Sequence, residues 1–388
     1  MADTPRPTLT DTPVTTDLLI GVAELEPTDR GLQPHRLPAF ARNQSTDPQV
    51  AMVEAQPAGA RVAVHTTATR IELDVLRTRP MYAGEAPRPD GVYDLVVDGE
   101  LCDQVTSFGG DALVMDMATG TSRTEEGPVA TIAFADLPDR DKTVEIWLPH
   151  NELTRIVALR SDRPLSPVPR TRPRWVHHGS SVSHGSNATH PTGTWPVIAA
   201  HAADVDLHNL GLGGSALLDP FVPRTIAGLE ADIISVKFGI NLVNADLMRR
   251  RALGPAVHGF LDTIRDAHPD TPLIVMSSVC CPIQESNPGP LAPDFSDGTM
   301  KFVATGDPTE VAAGKLTLEV VREELASVVA QRAADDPHLT YVNGLDLLGH
   351  ADVEELPYAD NLHPGSQAHQ RIGERFTPTL LQVRNALR

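Results

Sequence analysis

Only three of the 388 residues are cysteine, and two of them, Cys280 and Cys281, are adjacent. Neighbouring cysteines do not readily bridge each other and Cys102 stands alone, so no disulfide framework holds this fold together. Basic residues are also few: 32 Lys and Arg against 51 Asp and Glu give a formal net charge of −19. A surface of that sign repels phosphate, which excludes general nucleic-acid and anionic-membrane binding. The densest basic stretches, Arg170, Arg172 and Arg174 and then Arg249–Arg251, are short and read as structural. No run approaches the roughly 18 apolar residues of a membrane helix. The opening Met1–Pro7 lacks the basic-then-apolar pattern of a secretion signal. A cytoplasmic location is the default expectation, with secretion open if the chain begins after a processing site. Aromatic residues make up 4 % and offer no obvious lipid-binding lid.

What the chain does have is enough length for two domains, with 28 Gly and 34 Pro to turn it. Residues 1–165 read as β-rich. Arg61–Leu76 alternates apolar and polar residues as one half-buried strand, and Val92–Val97 runs into the turn pair Asp98-Gly99. Leu113–Met115, Val129–Phe134, Thr143–Leu148 and Arg155–Leu159 are further strand candidates. Short strands with hardly a helical period between them predict an antiparallel sandwich. Prolines at 164, 167, 169 and 173 then predict an extended connector, placed at 166–173, that sits in neither sheet nor helix.

From 174 to 388 the pattern becomes α/β. Strands are expected at Trp175–His178, Asp204–Leu207, Ile233–Phe238, Pro272–Ser278 and Leu339–Val342. Helices are expected at Trp195–Ala203 (capped by Thr194), Ala245–Ala267, Thr309–Ala334 and Ser366–Phe376, with a long loop at Pro282–Gly298. This alternation predicts an open parallel sheet with helices on both faces and a ligand site beyond the carboxyl ends of the strands. The loop carrying Gln284, Glu285 and Asn287 is expected to wall that site.

Four loop segments carry residues suited to acyl chemistry. His178-Gly179-Ser180-Ser181-Val182-Ser183 follows a strand directly, so a serine there can expose its hydroxyl at a tight turn; composition alone does not choose which serine. Asp360 and His363 are three apart, close enough for the carboxylate to fix the imidazole tautomer. The Gly-rich Asn209–Ser215 and the Gly239-Ile240-Asn241 turn supply neutral N–H donors of the kind an oxyanion needs. His177 and His178 fall on opposite faces of their strand, poor geometry for a metal. No cofactor or metal is implied.

In this order the four segments resemble the SGNH/GDSL hydrolase family. Gly179-Ser180-Ser181-Val182-Ser183 matches its opening block, Asn209, Gly211 and Gly214 its second, Gly239-Ile240-Asn241 its third, and Asp360, His363 and Pro364 its last. The resemblance covers about Arg174–Phe376. It implies a flavodoxin-like three-layer α/β/α domain with a five-stranded parallel sheet, a Ser181-His363-Asp360 triad, and an oxyanion hole from Gly214, Asn241 and the Ser181 amide. Two positions depart from the family pattern: Ser180 stands for its usual Asp, and Leu242 follows the third-block Asn. A jelly-roll-like sandwich ahead of such a domain also resembles bacterial carbohydrate acetyl esterases. The implied function is hydrolysis of carboxylic esters, short acyl groups such as acetyl first, on a small-molecule or carbohydrate substrate. Acyl transfer to another alcohol, lipase action, and an inactive carbohydrate-binding module are the alternatives. Whether the sandwich touches substrate or pairs subunits is open at this stage.

Overall fold

The protein is described by a computed structural model covering residues 8–84, 89–116, 119–296 and 298–387. Met1–Pro7, on which the secretion reading rests, lie outside the described residues. The chain makes two units. One comprises residues up to Pro38, Glu54–Thr171 and His190–Thr192; the other comprises Ala39–Val53, Arg172–Thr189 and Gly193 onward.

The first unit packs an eight-stranded sheet against a six-stranded one. Alternate residues of both sheets turn inward, and Val62, Val64, Leu73, Val75, Leu95, Val97, Ile146 and Ile156 meet in one apolar core. The single strand expected over Arg61–Leu76 is two: Arg61–Thr66 in one sheet and Ile71–Tyr82 in the other. The chain crosses between them where Thr66 Oγ1 accepts the Ala68 N–H and Asp162 accepts the N–H groups of Thr69 and Arg70. Periodicity alone does not reveal such a crossing, because the alternation continues through it. The sandwich is also not wholly antiparallel, since Thr78–Tyr82 pairs parallel with Asp111–Met115. Within the proline-rich connector, Ser166–Pro167 pairs with His65 and Val64. The expectation that this stretch avoids a sheet is thereby corrected: proline is tolerated on an edge strand, where its missing N–H is not needed. His190–Thr192 joins this unit through the buried Asp94 carboxylate, which accepts from His190 Nδ1, the Thr192 N–H and the Thr192 hydroxyl at 2.6–2.8 Å.

The second unit is a five-stranded sheet of β1 (Arg174–Gly179), β2 (Asp206–Gly211), β3 (Ile233–Phe238), β4 (Leu273–Ser277) and β5 (Leu339–Val342), in the order 2-1-3-4-5. Every pairing in it is parallel. All six residues of β3 are buried, as a central parallel strand covered on both faces requires. On one face Trp175 packs with Trp195 and Phe376, carried by helices Trp195–Ala203 and Ser366–Ala386. On the other, His178 and Phe238 pack with Phe260 of helix Arg250–Arg265. This is the three-layer α/β/α architecture the alternation predicts.

Several boundaries differ from expectation. The helix expected over Ala245–Ala267 is shorter, Arg250–Arg265, with a separate short helix, Ile240–Asn244, ahead of it, and that over Thr309–Ala334 is split into a 3-10 turn, Pro308–Ala313, and a helix, Leu318–Arg332. The last helix continues past Phe376 to Ala386. Thr194 stands at the N-cap of Trp195–Ala203, but its side chain makes no capping bond. The Pro282–Gly298 loop contains a strand, Leu291–Asp294, paired in a hairpin with Lys301–Ala304.

Candidate active site

β1 ends in a sharp strand-to-helix turn. Gly179 closes the strand, Ser180 stands at the helix N-cap, and Ser181 opens the short helix Ser181–His184. Glycine is required at 179 by close approach: a Cβ there would lie 2.3 Å from Ser183 Oγ and 3.2 Å from Lys237 Cβ. The serines, indistinguishable by composition, have different surroundings. Ser183 Oγ is bound to His177 Nε2 at 2.8 Å, and Ser180 Oγ is buried without a partner among the described residues. Ser181 Oγ lies 3.1 Å from His363 Nε2.

His363 is held by its own turn. Asp360 Oδ1 accepts the backbone N–H groups of Leu362 and His363 at 3.0 and 2.8 Å, while Oδ2 faces His363 Nδ1 at 2.7 Å. The imidazole therefore donates from Nδ1 to the carboxylate and presents Nε2 as acceptor to the Ser181 hydroxyl. Burial pushes the Asp360 carboxyl up, but the bonds from the His363 ring and the two backbone N–H groups outweigh it and bring the carboxyl down to about 2. Phe302 on the hairpin packs edge-to-face against the His363 ring, with centroids 6.1 Å apart, and its N–H donates to the Asp360 carbonyl at 3.0 Å.

The second and third segments close around the same turn. Asn209 donates to the Ser183 carbonyl and accepts from the Gly211 N–H, both at 2.8 Å. His184 Nδ1 donates to the Gly211 carbonyl at 3.1 Å, and the Leu212 N–H to the Gly179 carbonyl at 2.8 Å. A Cβ on Gly213 would lie 3.8 Å from Ser181 Cα, so the glycine turn runs alongside the serine. Asn241 is buried, and its Oδ1 accepts the Ala216 N–H at 3.1 Å. Fixing Oδ1 as acceptor leaves the Nδ2 amide as the donor. Among the described residues the Gly214 N–H makes no hydrogen bond.

Behind the serine turn lies a buried polar chain. Trp175 Nε1 donates to Ser235 Oγ at 2.8 Å, and Ser235 Oγ and Ser183 Oγ flank the two ring nitrogens of His177 at 2.7 and 2.8 Å. Burial, with the nearby charges of His178 and Lys237 adding to it, holds the His177 ring well below its ordinary pKa. A neutral ring satisfies both hydroxyls, accepting from one and donating to the other. His178 turns to the opposite face and donates from Nδ1 to the Leu210 carbonyl at 2.8 Å.

Of the loop expected to wall the site, Gln284 and Glu285 are buried, and Glu285 is committed to partners within the fold. Glu285 accepts a two-pronged bond from Arg322 Nη2, at 2.7 and 2.9 Å, and takes the Cys281 N–H as well. An ion pair this well satisfied has no carboxylate oxygen left over for substrate. Phe302 and Gln49, which sequence reasoning missed, stand beside the assigned residues instead; Gln49 Nε2 donates to the Gly213 carbonyl at 2.9 Å. Burial first, then the Glu285 charge, pushes the Cys280 and Cys281 thiols up to about 12, which suits packing and not nucleophilic attack.

Residues 173–287 match the model of the GDSL-like Lipase/Acylhydrolase family. No curated protein matches the chain. Among solved structures it is similar to the salicylyl-acyltransferase SsfX3 from a tetracycline biosynthetic pathway, at 24% identity over 96% of each chain, with a TM-score of 0.77. It is also similar to a protein described as a GDSL-like lipase from Bacteroides ovatus, at 18% identity over 97% of this chain and 98% of that one, with a TM-score of 0.67. A family two carbohydrate esterase from Clostridium thermocellum aligns at 12% identity over 84% of this chain and 92% of that one, with a TM-score of 0.57. With its sheet order, its four loops and this family match, the chain carries an SGNH/GDSL-type esterase/acyltransferase domain fold behind a β-sandwich, a two-domain architecture like that of the carbohydrate esterases.

Proposed function

We propose that the protein moves a short acyl group from an ester onto a hydroxyl acceptor through an acyl-Ser181 intermediate, with water as a competing acceptor. The observation that carries this reading is the relay of Ser181 Oγ, His363 and Asp360, at 3.1 and 2.7 Å. In it, His363 Nε2 takes the Ser181 proton as Oγ attacks the ester carbonyl, and Asp360 stabilises the imidazolium that forms. The tetrahedral oxyanion is received by the N–H groups of Ser181 and Gly214 and by Asn241 Nδ2. His363 then protonates the departing alkoxide. In the second half the acceptor hydroxyl gives its proton to His363 and attacks the acyl carbonyl, freeing Ser181. Hydrolysis is the same half-reaction with water.

Transfer is favoured over plain hydrolysis by the likeness to an acyltransferase along nearly the whole of both chains. The weaker likeness to carbohydrate esterases makes sugar hydroxyls one acceptor class to try. The test is partitioning: p-nitrophenyl acetate with a rising concentration of a small alcohol or sugar. The reading expects an ester of the added acceptor to accumulate at the expense of acetate, and expects Ser181→Ala to make neither product. Acetate alone at every acceptor concentration would reduce the function to hydrolysis; turnover by Ser181→Ala would remove the mechanism.

A further inference from the structure

A planar trans peptide carries its C=O and N–H on opposite sides. Whatever grips the Gly213 carbonyl therefore also aims the Gly214 N–H, which points away from the group that holds it. Gln49 Nε2 grips that carbonyl at 2.9 Å, across 164 positions of sequence. Only the amide nitrogen of Gln49 can donate, so the orientation of its side chain follows from the bond itself.

Gln49 is rooted for the task. It lies in the first turn of helix Pro48–Ala55, and its own N–H donates to Asp47 Oδ1 at 2.9 Å, a carboxylate cap ahead of a proline at the first helical position. Val53 of the same helix approaches from the same side: its Cγ1 lies 3.7 Å from where a Gly213 Cβ would be, while Ser181 Cα lies 3.8 Å from that point. The gripped peptide joins two glycines, and Gly214 has a φ of +76°. Glycines on both sides lower the barrier to turning a peptide over, so an outside anchor decides which way its N–H faces.

We infer that Gln49 is a positioning residue for acyl transfer: by holding the Gly213 carbonyl it presets the Gly214 N–H as an oxyanion donor. Polarisation of the same peptide by the bond makes that N–H a stronger donor as well. The inference rests on the acyl-Ser181 reading above and adds a residue from the N-terminal part of the chain to the machinery of the second unit.

The experiment compares Gln49→Leu and Gln49→Glu with the unaltered protein on p-nitrophenyl acetate, with Ser181→Ala alongside. Deleting an oxyanion donor outright costs about 10²–10³ in turnover. Losing only its alignment is expected to lower kcat about tenfold for Gln49→Leu, with KM changed by less than about twofold. Gln49→Glu sets a carboxylate against the Gly213 carbonyl at neutral pH and is expected to fall further. As pH drops toward about 4 its carboxyl protonates and can donate again, so its kcat relative to the unaltered protein recovers. A role for Gln49 that does not pass through this hydrogen bond gives no such recovery, and one that only holds the fold gives a loss of stability in urea melts that matches the loss of kcat. Should Gln49→Leu fail to fold, the near-isosteric Glu variant carries the test. Turnover within about twofold for both variants at all pH values, with Ser181→Ala inactive, overturns the role of Gln49 alone. Activity in Ser181→Ala overturns the acyl-serine reading beneath it, and the role of Gln49 with it.

Discussion

Asp360 shows how one side chain holds both an imidazole ring and the turn that carries it. Its two oxygens take three bonds, two from backbone N–H groups and one from the His363 ring. The carboxyl is held at about 2, below the ordinary value of about 3.9 for the unfolded chain. A carboxylate lowered on folding stabilises the native state above its unfolded pKa, and that contribution is lost as pH falls from about 4 toward about 2. Asp360→Asn is therefore expected to flatten part of the loss of stability over that window, read as urea melts at pH 5, 4 and 3. An unchanged acid slope would mean that the three bonds do not hold in solution. At this scale the sequence was legible wherever chemistry restricts residue type: a serine after a strand, an Asp three residues before a His, an Asn after a glycine. Choosing among Ser180, Ser181 and Ser183 on the residues alone was beyond it, since the difference lies in what each hydroxyl touches. Gln49 carried no signal at all, because a glutamine in a helix has no preferred partner until folding supplies one 164 positions away.

At the scale of single elements, β3 is the most informative. Ile233–Phe238 has the bounds its apolar run predicts, and it buries one lysine, Lys237, on the face that carries Ser235. Burial brings the Lys237 ammonium down to about 8. A lysine lowered on folding binds its proton less tightly in the native state. The native state is thus penalised at pH values below about 8, and stability rises with pH from about 8 to about 10.4, where the unfolded chain also releases the proton. Lys237→Met removes the charged group and keeps the stem. It is expected to raise stability at pH 7 by up to about 3 kcal/mol and to abolish the rise above pH 8, both measurable by chemical denaturation. Destabilisation at pH 7 would mean that the ammonium has a partner. Element types read well where the period is long and clean, as in β3, β5 and helix Trp195–Ala203. They read poorly where a short piece depends on its neighbours. Phe221–Gly228, Gly344–Leu347 and His350–Glu355 went unpredicted, and so did Pro48–Ala55 inside a β-rich half. The crossing between Thr66 and Arg70 was invisible because alternation survives it.

For the whole molecule, the acidic balance, the parallel sheet and the four ordered loops point the same way. A chain with a net charge of −19 has little to offer a polyanion, and an ester of a neutral alcohol or sugar does not ask for a cationic surface. The change of texture near residue 170 falls beside the Thr171–Arg172 break between the two units. The exchange of Ala39–Val53 and His190–Thr192 between units was not legible in the sequence, because it depends on single polar contacts such as those of Asp94 and not on composition. The central claim remains that Ser181 becomes acylated. Its most direct test is intact-protein mass spectrometry after reaction with a serine-directed phosphonate, followed by peptide mapping. The account predicts one adduct per chain, on Ser181, abolished in Ser181→Ala and slowed in His363→Ala. An unmodified protein, or an adduct on another residue that persists in Ser181→Ala, would contradict it.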